Sequence, residues 1–256
     1  MLEARGLVKR YGSLCAVDDV SFTVRPSEVL GYLGPNGSGK STTVGMLVGL
    51  VQPTRGHVLF DGRDIWDDIV GYRRRVGYVP EEPSLYPYLT AREYLELIGR
   101  LRGLPERLLD RRITALLGLF SLEADSLSPL SSYSKGMRQK VLISAALLHD
   151  PDLLVFDEPM SGLDAGSAMV FRHLVKALAR GGKTVLYSSH ELETVERVAD
   201  RVVVLHQGRM VAHDSVERLR ALMQLESLED IFSQLVVSED PEAVAGRIVD
   251  AVSSRS

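Results

Sequence analysis

The stretch Val29-Leu30-Gly31-Tyr32-Leu33-Gly34-Pro35-Asn36-Gly37-Ser38-Gly39-Lys40-Ser41-Thr42 decides how the rest of the chain is read. Its first five residues are apolar without alternation, which predicts a strand covered on both faces, the habit of parallel sheets. The next nine match G-x-x-x-x-G-K-[ST], and Thr43–Leu50 can open a helix behind them. Gly34, Gly37 and Gly39 let consecutive backbone N–H groups converge on phosphate oxygens, and a helix N-terminus adds a favourable dipole. Lys40 can reach the outer phosphates as a mobile point charge, while Ser41 offers a hydroxyl to Mg²⁺. Pro35, Asn36, Ser38 and Thr42 complete the candidate cradle. The competing explanation, a glycine-rich turn with an exposed lysine, does not account for the strand before it and the helix after it.

Similar apolar runs recur at Leu153–Phe156, Thr184–Tyr187 and Val202–Leu205, each read as a buried strand. Between the first two, Phe171, Leu174, Val175 and Leu178 fall at i, i+3, i+4 and i+7, an amphipathic helix ended by Gly181-Gly182. Strand alternating with helix predicts an α/β fold with a mainly parallel sheet. The first 25 residues, with alternation at the end of Ala16–Val24, predict a small antiparallel β subdomain instead. From Thr90, a helix cap, to Asp150 no strand is expected, so an α-helical subdomain is inserted at about 90–150. After Gly208 come a short hairpin and a helix. The expected boundaries are a core over 1–222 and a helical tail over 223–256. The tail places Leu228, Ile231, Phe232 and Leu235 at helical spacing, with another helix from Pro241 and a frayed end at Ser253–Ser256.

Leu153–Phe156 runs straight into Asp157-Glu158-Pro159, with Asp157 lying 117 positions after Lys40. A carboxylate at the end of a buried parallel strand points into the crevice where such sheets bind ligands. Asp157 would hold Mg²⁺ directly or through water, and Glu158 would polarise an attacking water. A merely polar strand end is the alternative.

Composition limits the function further. In 256 residues, 45% are hydrophobic, 25% charged, and the net charge is −4, so no whole-chain basic field draws in nucleic acid. The longest apolar runs, Val44–Val51 and Val141–Leu148, fall well short of the ~20 residues of a spanning helix. With a single cysteine, Cys15, and no signal-peptide layout at Met1–Arg5, the expectation is a soluble protein of a reducing, intracellular compartment. Arg73-Arg74-Arg75 and Arg107/Arg111/Arg112, with Glu106, Asp110 and Glu123 nearby, read as solvated faces.

Two phosphate-site motifs would suit kinases or GTPases equally. Tyr133-Ser134-Lys135-Gly136-Met137-Arg138-Gln139-Lys140 narrows the choice, because it resembles the L-S-G-G-Q signature of ATP-binding-cassette (ABC) ATPases. Other elements follow in that family's order. Tyr11 matches its adenine-stacking aromatic, Ser161-Gly162-Leu163-Asp164 its loop after the second carboxylate, and His190 its histidine after the next strand. A lone Tyr11 or His190 would ordinarily be structural. The resemblance spans about Leu2 to Leu222 and is looser beyond.

The resemblance implies a head-to-tail pair of cassettes, identical or not, with ATP sandwiched between one phosphate loop and the other's signature. Ser134 and Gly136 would then donate to the γ-phosphate of the partner's ATP, His190 would bond the γ-phosphate and help order water and Glu158, and Asp164 would connect the two sites. Three departures stand out: Lys135 replaces a signature glycine, Met137 its glutamine, and Glu81 a glutamine that contacts Mg²⁺. A carboxylate can also ligate Mg²⁺. Whether Lys135 faces a partner's nucleotide or solvent stays open at this stage.

The family also implies separate membrane permease subunits, holding the protein to the inner face of the cell membrane. Glu82–Leu89 would form their socket, through Leu85, Tyr86 and Tyr88 or else through a loop folded back on its own domain. Pro80-Glu81-Glu82, the signature form and Leu228–Phe232 resemble exporter-type cassettes. Soluble relatives acting on chromosomes or ribosomes, or a regulatory nucleotide-binding module, are the alternatives. Ser134 lies only 94 positions after Lys40, with no room for a long coiled coil, a second cassette is lacking, and Glu158 is present.

Overall fold

The computed structural model describes residues 1–82, 84–190, 192–225 and 227–236. The chain opens with a hairpin of β1 (Leu2–Tyr11) and β2 (Leu14–Val24), followed by β3 (Val29–Leu33) and α1 (Lys40–Leu47). Next come β4 (Arg55–Phe60), β5 (Arg63–Asp64), α2 (Ile69–Arg74) and β6 (Val76–Val79). Helices α3 (Ala91–Leu101), α4 (Glu106–Leu119) and α5 (Lys135–Leu147) lead to β7 (Leu153–Asp157). The remainder is α6 (Ala165–Arg180), β8 (Thr184–Ser188), α7 (Leu192–Val198), β9 (Arg201–His206), β10 (Arg209–Ser215), α8 (Val216–Met223) and α9 (Leu228–Val236).

Two sheets result. One is antiparallel, ordered β2-β1-β4-β5; the other is ordered β10-β9-β3-β8-β7-β6, parallel except for β10 at its edge. Continuous apolarity along β3 has its predicted cause. Leu30 and Tyr32 enter a core shared with α1 and the antiparallel sheet, while Val29 and Leu33 enter a second core under α5 to α9. Each such buried side chain contributes about 1.5–3 kcal/mol. A third core, built on Leu95, Leu109, Ile113 and Leu117, belongs to α3, α4 and α5. Helix α5 faces both ways: Leu142, Ile143 and Ala146 pack toward the sheet, Val141, Ala145 and Leu148 toward α3 and α4. The signature segment therefore rides on the helix that joins the insert to the sheet.

Local chemistry sets the ends. Thr90 and Glu93 form a reciprocal capping box at α3, as the sequence led one to expect of Thr90. Between Thr90 and Asp150 the described residues hold one isolated bridge, Thr90 to Pro129, and no strand. In α9, Leu228 and Ile231 are fully buried against the second core; the helix expected from Pro241 lies outside the described residues.

The arginine groups do more than face solvent. Arg75 pairs with Asp152 at 2.6 Å and Asp61 at 2.7 Å, Arg73 donates to the Gly49 carbonyl, and Arg112 donates to the Leu148 carbonyl. Glu106 and Asp110, the acids expected to balance them, pair instead with Arg100 and Arg92.

Candidate active site

Strand β3 ends at Leu33, and the chain turns through Gly34–Gly39 into α1. Gly39 makes the turn at φ 100°, and a Cβ there would sit 2.4 Å from the Ala16 carbonyl oxygen of β2. Only glycine fits such a position without strain. No side chain caps α1, so its first N–H groups are left to a ligand. Lys40 is buried and donates to the Gly34 carbonyl at 2.6 Å and the Pro35 carbonyl at 3.1 Å. Burial pulls its ammonium below the ordinary lysine range, while the charges of Glu158, Asp157 and Glu81 push it back up.

A cavity of about 460 Å³ opens over this loop. It is lined by Asn36, Gly37, Gly39, Lys40, Ser41 and Thr42 on one side and by Glu81, Asp157, Glu158 and His190 on the other, with Ala16 at its rim. The parallel register explains the meeting: β7 and β8 lie side by side, with Asp157 opposite Ser188, so Glu158 and His190 leave the same end of the sheet. Glu158 has its oxygens held from two directions. His190 Nδ1 lies 2.8 Å from Oε1, and the Ser189 hydroxyl donates to Oε2 at 3.1 Å. Its backbone is at φ 47°, directly before Pro159, and its N–H donates to the Ser188 carbonyl. A non-glycine residue at such a φ is strained by about 1–3 kcal/mol and persists only where its surroundings fix it. The sequence reading found Glu158 but not this strain. It also passed over Ala16, whose alanine side chain carries no chemical signal.

Burial raises the Asp157 carboxyl from its ordinary 3.8 to about 6, with the neighbouring Ser188 side chain and the Lys40 charge opposing and the charges of Glu81 and Glu158 assisting. Three carboxylates thus surround one lysine. That surplus suits a hard dication held by one or two carboxylates and completed by phosphate oxygens and water. Among the described residues no group of three or more His, Cys, Asp and Glu side chains converges as a metal site.

Other sequence-predicted residues lie off this cavity. Gly34, Pro35 and Ser38 belong to the loop but do not line the cavity. Tyr11 is half exposed at the β1–β2 hairpin, with Lys9 Nζ 5.1 Å from its ring centre. Ser134 and Gly136 are at the N-terminus of α5, and Asp164 caps α6 by accepting from the Ser167 N–H at 2.9 Å. None of these three lines the cavity of their own chain.

Residues 17–161 match the ABC transporter family. The chain belongs to it. The cassette is 39% identical over 223 residues to the ABC transporter ATP-binding protein NatA of Bacillus subtilis, covering 87% of this chain and 91% of that protein. It is 38% identical to the Nod factor export ATP-binding protein I of Ralstonia nicotianae, over 86% and 68% of the two chains. A solved ATP-binding subunit of an ABC transporter superposes with TM-score 0.87 at 37% identity, covering 92% of this chain and 99% of that one. A dimeric cassette in a post-hydrolysis state, bound to ADP and Pi, superposes with TM-score 0.77 at 26% identity, covering 84% and 98%. The cassette is therefore an ATP-binding ATPase subunit of an ABC transporter, with the α/β fold that its sequence predicted. No described helix is long and apolar enough to cross a membrane.

Proposed function

We propose that the cassette works as half of a head-to-tail pair, hydrolysing ATP to drive export through separate permease subunits at the inner face of the cell membrane. The observation that carries this reading is the separation of its two phosphate-binding ends. Lys40 and Glu158 share one cavity, whereas Ser134 and Gly136 line none of it. A γ-phosphate resting at Lys40 meets the signature only if a second cassette brings one. The Ser134 hydroxyl already accepts from the Met137 N–H at 3.2 Å, which leaves its own proton free to donate outward.

Within this reading, α1 and Lys40 hold the phosphates and Tyr11 stacks on adenine. Ser41, Asp157 and Glu81 would hold Mg²⁺, which supplies charge neutralisation to the phosphoryl group. Glu158, held by His190 and Ser189, accepts a proton from the attacking water. Asp164, at the N-terminus of α6, links the paired sites. The permease socket is the segment 84–89: Tyr86 lies against Tyr94 with ring centres 6.4 Å apart, and Tyr88 stands 91% exposed. Export is favoured over import by the relatives whose names state export.

A composite site makes turnover depend on pairing. ATPase activity per chain, measured with Mg²⁺ from nanomolar to micromolar protein, should rise at least about tenfold before levelling, as association follows mass action. Activity per chain that stays constant over that range contradicts the reading.

A further inference from the structure

Lys135, which stands where the family signature has a glycine, does not point into empty solvent. Its ammonium donates to the Ser161 hydroxyl at 2.5 Å. The aliphatic stem of Lys135 lies across Gly162, where a Cβ would meet the lysine Cγ at 2.8 Å. Three more contacts tie the first turns of α5 to the same segment. Gly136 sits so close to the Gly162 carbonyl that a Cβ would come within 2.4 Å of it. Buried Gln139 donates to the Pro159 carbonyl at 3.0 Å, and Lys140 lies 3.9 Å from Asp164.

This segment begins at Glu158. The Ser161 N–H donates to the Glu158 carbonyl at 3.2 Å, closing the turn that follows the strained carboxylate residue. A second cavity, of about 320 Å³, runs from Glu81, Glu158 and His190 along Met160–Leu163. Ser161 is thus bonded on one side to the helix carrying the signature and on the other to the residue that holds the base.

A cation at this place also has a cost. The N-terminus of α5 already bears the positive end of the helix dipole, so a lysine in the first turn is disfavoured there. Among the described residues no carboxylate pairs with Lys135; its partner is a neutral hydroxyl. A side chain kept at an electrostatically unfavourable point needs a compensating contact, and Ser161 provides it.

We propose that Lys135 is a positioning residue for ATP hydrolysis: through Ser161 it fastens the signature helix to the segment Glu158–Asp164, so that the helix and the base move as one piece. The inference rests on the composite-site reading for what the signature meets, and on the observed contacts for the latch itself. Glycine at this position would leave the segment joined to α5 by the Gly136–Gly162 packing, the Gln139–Pro159 hydrogen bond and the Lys140–Asp164 pair, with Ser161 unfastened.

The test is a double-mutant cycle on the full chain with Mg²⁺ and saturating ATP. Lys135→Met and Ser161→Ala should each lower kcat by about five- to tenfold, and the double variant should fall no further than the worse single, because both remove one contact. Lys135→Arg should recover at least half of the lost rate. ATP affinity of each variant, read in the Glu158→Gln background, should stay within about twofold and Tm within about 2 °C, since neither residue touches the chain's own phosphate site or a core. Singles without effect on kcat, or a double variant in which the two losses multiply, overturn the latch. Pairing of Glu158→Gln on ATP is scored separately: its loss strikes the composite site, while the cycle still decides the contact between Lys135 and Ser161.

Discussion

Two helix N-termini in this cassette are assigned to phosphate in the proposed reading, and they are built in opposite ways. Helix α1 starts from a glycine at φ 100° with no side-chain cap, and its first lysine is buried against the carbonyls of its own loop. Helix α5 starts from Ser134, which caps it, and its first lysine lies exposed across a neighbouring loop. The first arrangement offers bare N–H groups inside a cavity walled by the same chain. The second offers an exposed hydroxyl that lines none of that cavity. A helix terminus alone therefore does not make a site; what differs is whether the chain supplies the rest of the enclosure. On the proposed reading one end is a binding site, the other half of one.

Substitutions at the two ends should separate cleanly. The largest effect is expected at α1. Lys40→Ala removes a desolvated cation and should weaken ATP binding by about 100-fold, measured by titration with a fluorescent nucleotide. Unaltered affinity would break the assignment of α1 as the phosphate end. At α5, Ser134→Ala should leave the affinity of the isolated chain within about twofold yet lower turnover about tenfold, with about 1 kcal/mol of stability lost through the missing cap. Equal losses of binding at both ends would erase the distinction drawn here.

The smallest effect concerns stability. The folded Asp157 carboxyl is raised to about 6, so the ligand-free fold favours its protonated form. Its contribution is most favourable below the ordinary carboxyl range and is lost as pH climbs through about 6. Asp157→Asn removes that loss. At pH 7.5 without nucleotide the variant should melt about 3 °C higher than the parent while losing magnesium-dependent turnover. A lower Tm at that pH would mean that the carboxylate is compensated in the free protein.

Much of this was legible in the sequence because the signals were local. The runs around Leu30, Leu154, Leu186 and Val203 became central strands, and the phosphate loop met Asp157, Glu158 and His190 at one end of the sheet. Strand β6 is not among the apolar runs read from the sequence. It is only four residues long and contains a glycine, and the missing side chain lets the Ala146 carbonyl approach, where a Cβ would lie 2.4 Å away. Its place is set by packing from α5 and β7 rather than by its own propensity. Strands β4 and β5 were missed for a related reason: their partners are β1 and each other, more than forty residues apart for β1 and β4. The role of Lys135 could not be read either, since Ser161 lies on another element and no periodicity links them.

The central claim is that nucleotide joins two cassettes, and one measurement bears on it directly. Glu158→Gln keeps the shape of the base and removes its charge, so it should bind ATP yet lose at least about 100-fold in turnover. Light scattering of this variant after size exclusion, with Mg²⁺ and ATP, should show twice the mass of the chain, reverting to single mass when ATP is omitted. A single mass under both conditions, at concentrations that saturate the chain with ATP, would contradict the account.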